Sequence, residues 1–109
     1  MKILITGASG FVGKNLVQRL LKEDHQLTIT STGSENELPK ECKILYCGLK
    51  GIDWNYVDGQ DAVIHQAANN DTRCQDENEV MRANFYDPVD LFTRAVRSGC
   101  KNFVYASST

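Results

Sequence analysis

Lys2-Ile3-Leu4-Ile5-Thr6-Gly7-Ala8-Ser9-Gly10-Phe11-Val12-Gly13 follows the initial Met1 and decides the reading of the rest. Its first five residues are a short apolar run that stops at a glycine, as a strand buried on both faces does. Glycines then recur at intervals of three. From Val12 to Lys22 the apolar residues fall at 12, 16, 17, 20 and 21, the stripe of an amphipathic helix. Strand, glycine turn and helix in direct succession give the three glycines separate tasks. Gly7 permits the tight turn out of the strand, Gly10 removes a Cβ where a ligand would approach backbone, and Gly13 allows close helix packing. The N–H groups of Phe11 and Val12 then stand at the positive end of the helix dipole, where an anion is favoured. A P-loop does not fit, because Gly13-Lys14 runs into Asn15 where that motif needs a hydroxyl residue.

Working outward, His25-Gln26 turns the chain and Leu27–Thr30 alternates as a second strand. Residues 31–41 are polar and contain Gly33 and Pro39, which predicts a loop with at most a weak helical turn. Cys42–Tyr46 supplies a third strand. Gly48–Gly59 is a connection whose Trp54, with Tyr56 or Val57, is expected to cover a sheet face. Ala62–His65 is the fourth strand, ending at Ala67-Ala68. Glu77–Ser98 is expected to be one long helix closed by Gly99 in the left-handed conformation, and Asn102–Tyr105 is the fifth strand. Strands alternating with helices or covering connections imply parallel βαβ units with right-handed crossovers. The expected fold is α/β: a Rossmann-type doubly wound parallel sheet in the order 3-2-1-4-5, stopping after the fifth strand. Ligands of such sheets bind beyond the carboxyl ends of the strands at the switch point, here between strands 1 and 4. In that position the glycine turn is expected to hold the pyrophosphate of NAD or NADP.

Size and composition narrow the possibilities further. At 109 residues, with 41% hydrophobic and 24% charged residues, the chain is expected to be a single soluble domain. Twelve basic against fourteen acidic residues give a net charge of -2, which argues against a nucleic-acid partner. No apolar run approaches the roughly 18 residues of a membrane span, so no membrane association is expected, and the N-terminal run is too short for a secretion signal. A cytoplasmic location is the default expectation. Cys42, Cys47, Cys74 and Cys100 form no C-x-x-C pair, and His25 and His65 lie apart from them. Four reduced thiols are expected, and no metal site.

Asn84 and Pro88 can be read from backbone chemistry. Proline inside a helix lacks the N–H that would bond the carbonyl four residues earlier. The pair therefore predicts a local kink, with the Asn84 carbonyl turned to a water or to the floor of the site. The alternative is a second helix beginning at Pro88, after Asp87.

Several stretches together carry a family resemblance: the G-x-x-G-x-x-G spacing of Gly7, Gly10 and Gly13, then Asp61-Ala-Val-Ile-His65-Gln-Ala-Ala68, Arg82-Ala-Asn84, and Lys101-Asn-Phe-Val-Tyr-Ala-Ser-Ser108. In these the chain resembles the extended short-chain dehydrogenase/reductases, the NAD-dependent epimerase/dehydratase group that modifies nucleotide sugars, over its N-terminal part. The resemblance implies cofactor contacts from Gly7, Gly10, Phe11, Val12 and Gly13 at the pyrophosphate. It implies further contacts from Gln66, Ala67 and Ala68 on the nicotinamide side, with Asn84 and Ser107 also among the cofactor-binding residues. Ser108 would be the catalytic hydroxyl, bonded to the sugar oxygen whose carbon gives up hydride. His65 is expected to be a packed histidine at the strand end. The implied activity is 4-epimerase-like or 4-keto-sugar-reductase-like; a non-catalytic NAD(P)-binding sensor or scaffold is the alternative.

Two departures concern the adenosine end. The family often ends strand two with an acid; here Ser31 and Thr32 stand there, and no arginine replaces it, so NAD and NADP both stay open. Gly48 stands where many relatives carry an aspartate, leaving Gly48-Leu49 only backbone to offer. The family's general acid/base, a Tyr-x-x-x-Lys pair on the helix after strand five, is expected beyond Thr109. None of Tyr46, Tyr56, Tyr86 and Tyr105 is expected to replace it. The chain is thus expected to be an N-terminal fragment, inactive alone. Its apolar edge at Phe103–Tyr105 is expected to pair with another copy, as a homodimer or by looser self-association. The nucleotide-sugar substrate would bind in the full-length protein.

Overall fold

Continuous burial along the first strand, with side chains alternating between faces, sets up two cores, one on each face of a sheet. The computed structural model describes residues 1–8, 10–32, 38–66 and 76–106. Strand β1 (Lys2–Thr6) leads into helix α1 (Phe11–Leu21), followed by β2 (Gln26–Thr30) and β3 (Lys43–Leu45). Two 3-10 turns, Leu49–Gly51 and Trp54–Tyr56, connect to β4 (Ala62–His65). Helix α2 (Glu77–Met81) then passes through a π-helical turn (Arg82–Tyr86) into α3 (Asp87–Arg97), and β5 (Asn102–Tyr105) closes the described chain. All strand pairs are parallel, in the order β3-β2-β1-β4-β5, as the sequence predicts.

Ile3 and Ile5 of β1 point to one side and join Leu27 and Ile29 of β2 and Val17 of α1. Leu4, between them, points to the other side with Val63 of β4, Val57, Leu91 and Ala95. Because β1 and β4 sit between two covering layers, both read as nearly continuous apolar runs. On the first face α1 presents Val17, with Leu16, Leu20 and Leu21 partly buried around it. On the second, α3 buries Pro88, Leu91 and Ala95. The connection contributes Leu49, Ile52 and Val57 to that second core, with Trp54 packed against it. The expectation that Trp54 and Val57 cover a sheet face therefore holds, in the form of two 3-10 turns.

Boundaries follow local chemistry. Helix α3 ends at Ser98-Gly99, and Gly99 takes the expected left-handed conformation with φ of 92°. Asp76 caps α2, its carboxylate accepting from the N–H groups of Asn78 and Glu79 at 3.0 and 3.3 Å. Arg94 holds Asp58 in a two-pronged ion pair, both contacts at 2.8 Å, tying α3 to the end of the covering connection. Cys42, Cys47 and Cys100 are free thiols; Cys74 lies outside the described residues.

Candidate functional site at the carboxyl ends of the central strands

The glycine turn rises from the end of β1 at the switch point. Gly7 takes a φ of 69°, so a side chain there would be strained. Its N–H donates to Thr30 Oγ1 at 3.4 Å, and the Ala8 N–H donates to the Thr30 carbonyl at 3.0 Å, anchoring the turn to β2. A Cβ on Gly13 would come within 2.6 Å of the Gly7 carbonyl oxygen and 2.9 Å of the Ala8 Cα. The close approach read from the sequence is thus helix against turn backbone. Gly10 is different: its φ is -72°, and among the described residues a Cβ there would meet only the Gly7 oxygen, at an ordinary 3.6 Å. Nothing in the described residues requires a glycine at this position.

Gly10 is the N-cap of α1 and brings no side-chain cap, and the first turn carries no acidic residue. The first-turn N–H groups of a helix have no partner within the helix, so the Phe11 and Val12 end is available to an anion. Phe11 is 85% exposed and Val12 58%.

Where the resemblance places the adenosine, the structure separates two residues that the sequence treats alike. Ser31 is buried and its N–H donates to the Leu45 carbonyl at 3.0 Å, so its hydroxyl does not face the surface. Thr32 is exposed. Its Cγ2 lies 3.9 Å from where a Cβ on Gly48 would stand, which brings the ends of β2 and β3 together. The hydroxyl offered there is Thr32's. Leu49 buries its side chain in the second core, leaving backbone alone, as expected.

Past β4, the Gln66 N–H donates to both the Thr6 carbonyl and Thr6 Oγ1, at 3.2 and 3.0 Å. Thr6 Oγ1 also shares a 2.6 Å hydrogen bond with His65 Nδ1. The His65 ring is buried, and burial pushes its pKa down to about 4, so the imidazole is neutral at ordinary pH. Its face lies against Tyr105, with ring centroids 5.6 Å apart and planes 24° from parallel. Tyr105 Oη in turn donates to the Asn84 carbonyl at 3.4 Å. His65 is therefore the packed histidine expected. The sequence reading missed Tyr105, yet a signal existed: aligning the ends of strands 4 and 5 pairs His65 with Tyr105.

The Asn84–Pro88 expectation resolves between its two alternatives. The helix neither runs on as a plain α-helix nor restarts after a break. A π-turn spans Arg82–Tyr86, and Pro88 sits in the first turn of α3 directly after it. Such turns insert one residue into a helix, and this one presents the Asn84 carbonyl to Tyr105. Ala67, Ala68, Ser107 and Ser108 lie outside the described residues.

Tyr46 does stand four residues before Lys50, in the letters of Tyr-x-x-x-Lys. Tyr46 follows β3 and Lys50 lies in the first 3-10 turn, so no α-helix places the ammonium beside the phenol. Tyr46 and Lys50 thus lack the shared helix on which the resemblance places the family's pair.

The sheet order, the glycine turn and the uncapped helix start define a Rossmann-type α/β unit. Residues 3–109 match the model of the NAD dependent epimerase/dehydratase family, and the chain belongs to that family. Among curated proteins it is 26% identical over 115 residues to the UDP-glucose 4-epimerase of Corynebacterium glutamicum, covering 99% of this chain and 35% of that one. It is 28% identical over 113 residues to the 3 beta-hydroxysteroid dehydrogenase/Delta 5-->4-isomerase of Monkeypox virus, covering 95% and 33%. Among solved structures, a UDP-galactose 4-epimerase superposes with a TM-score of 0.82 at 27% identity, over all of this chain and 39% of the other. MoeE5 in complex with UDP-glucose and NAD superposes at 0.85 and 25% identity, over all of this chain and 37% of that one. The chain thus spans between a third and two fifths of the length of these relatives.

Proposed function

We propose that this chain is the dinucleotide-binding part of an NAD(P)-dependent enzyme that moves hydride at a carbon of a nucleotide sugar, in 4-epimerase-like or 4-keto-sugar-reductase-like chemistry. The observation that carries the reading is Gly10. Gly7 and Gly13 are explained by the fold, but Gly10 has neither a positive φ nor, among the described residues, a clash to avoid. A bare Cα beside the uncapped start of α1 is what a pyrophosphate needs to reach the N–H groups of Phe11, Val12 and Gly13.

In this reading Thr32 and the Gly48-Leu49 backbone hold the adenosine, with buried Ser31 shaping the pocket from beneath. Gln66, Ala67, Ala68, Asn84 and Ser107 line the nicotinamide side, and Ser108 bonds the reacting sugar oxygen. When bound, the nicotinamide supplies a carbon that takes up or returns hydride. The neutral His65 does not exchange protons with the substrate; it packs the floor of the site. The UDP-sugar enzymes among the relatives support the substrate class. A second reading is favoured by the viral relative, which is named a hydroxysteroid enzyme and matches at similar identity. Self-association belongs to the same proposal: β5 is the outermost strand of the described sheet, and Val104 and Tyr105 are exposed on it.

Fluorescence titration with NADH and NADPH tests the cofactor. Binding of either supports the reading, and binding of neither overturns it. Incubating the full-length protein with UDP-glucose and, separately, with a 3 beta-hydroxysteroid and NAD decides between the substrate readings by which one reacts.

A further inference from the structure

Four residues from four segments meet in the middle of the site: Thr6 at the end of β1, His65 at the end of β4, Tyr105 at the end of β5, and Asn84 in the π-turn. The contacts run in series. Thr6 Oγ1 bonds His65 Nδ1 at 2.6 Å, the His65 ring lies on Tyr105 at 5.6 Å, and the Tyr105 hydroxyl reaches the Asn84 carbonyl at 3.4 Å. Thr6 and His65 are almost wholly buried, at 0% and 1% exposure. Thr6 precedes Gly7 directly, and its oxygens receive the Gln66 N–H. One end of the series is therefore fixed to the glycine turn and to the exit of β4. The other end is fixed to the π-turn, where the helix carries an extra residue.

We propose that Tyr105 and His65 are positioning residues which form an aromatic strut coupling the π-turn to the exit of β4, so that the two sides of the dinucleotide site hold their shape together. The inference rests on the proposed dinucleotide function only for its consequence in binding; the coupling is a property of the chain's own contacts. Ordinary core packing does not account for the arrangement. Tyr105 is 49% exposed, and its hydroxyl is spent on a carbonyl of a different element. The His65 Nε2 is buried with no hydrogen-bond partner among the described residues, a cost that an apolar ring at this position would avoid. What the imidazole offers that an apolar ring would not is the Nδ1 bond to Thr6, which fixes the plane of the ring that Tyr105 lies on.

The test is amide hydrogen exchange on the full-length protein and its Tyr105→Phe and His65→Phe variants, with melting temperatures measured alongside. Tyr105→Phe keeps the ring contact and removes only the hydroxyl. A merely local role would raise exchange in residues 84–87 alone. The strut predicts faster exchange there and also at the distant Gln66 amide, by roughly three- to tenfold, the worth of about one hydrogen bond. His65→Phe keeps an aromatic face but loses the Thr6 bond, and it should transmit the same loosening in the opposite direction, to residues 84–87. An unchanged Gln66 amide in Tyr105→Phe overturns the proposal, as does an unchanged π-turn in a folded His65→Phe. If the parent protein binds NADH or NADPH, both variants should weaken that binding by a similar factor. If the parent binds neither, the function fails while the exchange data still decide the coupling.

Discussion

At Gly10 and Gly13 the same substitution has opposite meanings. Alanine at Gly13 would gain about 1 kcal/mol in helix propensity, but its Cβ must displace backbone atoms at 2.6 and 2.9 Å, which do not move freely. Gly13→Ala is expected to destabilise the protein by about 1–3 kcal/mol, read by chemical denaturation. Gly10→Ala has room and should cost no more than about 1 kcal/mol as a change of N-cap. Its effect should appear in NADH or NADPH affinity, weakened by about tenfold or more through loss of a bond to a charged phosphate. Equal losses of stability in the two variants would count against this division. His65 offers a second test. Unfolded, its pKa is near the ordinary value of about 6.5; folded, burial holds it at about 4. Between those values the unfolded chain takes up a proton that the folded chain refuses, so stability falls as pH drops through that window. Denaturation midpoints at pH 7 and pH 4.5 should show the loss, and His65→Gln should remove that component.

Among the elements, the helical stretch from Glu77 to Arg97 shows most clearly what a sequence can and cannot disclose. Pro88 and Asn84 announce an irregularity because a missing N–H leaves a carbonyl to be satisfied. They do not announce a π-turn, whose Asn84 carbonyl meets Tyr105 at the end of a strand that comes later in the chain. Strand β1 and the glycine turn were legible because their chemistry is local: an apolar run, a positive φ at Gly7, a close approach at Gly13. The burial of Ser31 was not, because it depends on β3 bringing the Leu45 carbonyl to the Ser31 N–H. Likewise the Thr6–His65–Tyr105 contacts depend on the registers of β1 with β4 and of β4 with β5. Helix α2 supplies a prediction of its own. It has only five residues, and Asp76 satisfies two of its first N–H groups. Asp76→Ala is expected to cost about 1 kcal/mol, with faster amide exchange at Asn78 and Glu79 and little change in β1.

For the molecule as a whole, charge and surface point in different directions. A net charge of -2 provides little repulsion between copies. β5 meanwhile presents Val104 at 53% exposure and Tyr105 at 49% on an outermost strand. Parallel pairing leaves backbone groups of such a strand open to another chain. Sedimentation of the 109-residue chain should therefore show association that grows with concentration, and Val104→Lys should reduce it; a monomer at every concentration would remove that expectation. The sheet order has a further consequence, for how the molecule is made. β1 is both the first strand in the chain and the middle strand of the sheet. β2 adds beside it, β3 beside β2, then β4 on the vacant flank of β1 and β5 beside β4. Among the described strands, each one after β1 lies beside a strand that precedes it in the chain. In synthesis from the N-terminus each later strand of the described sheet therefore has its partner already made, so the order of pairing can follow the order of synthesis, outward in both directions from β1.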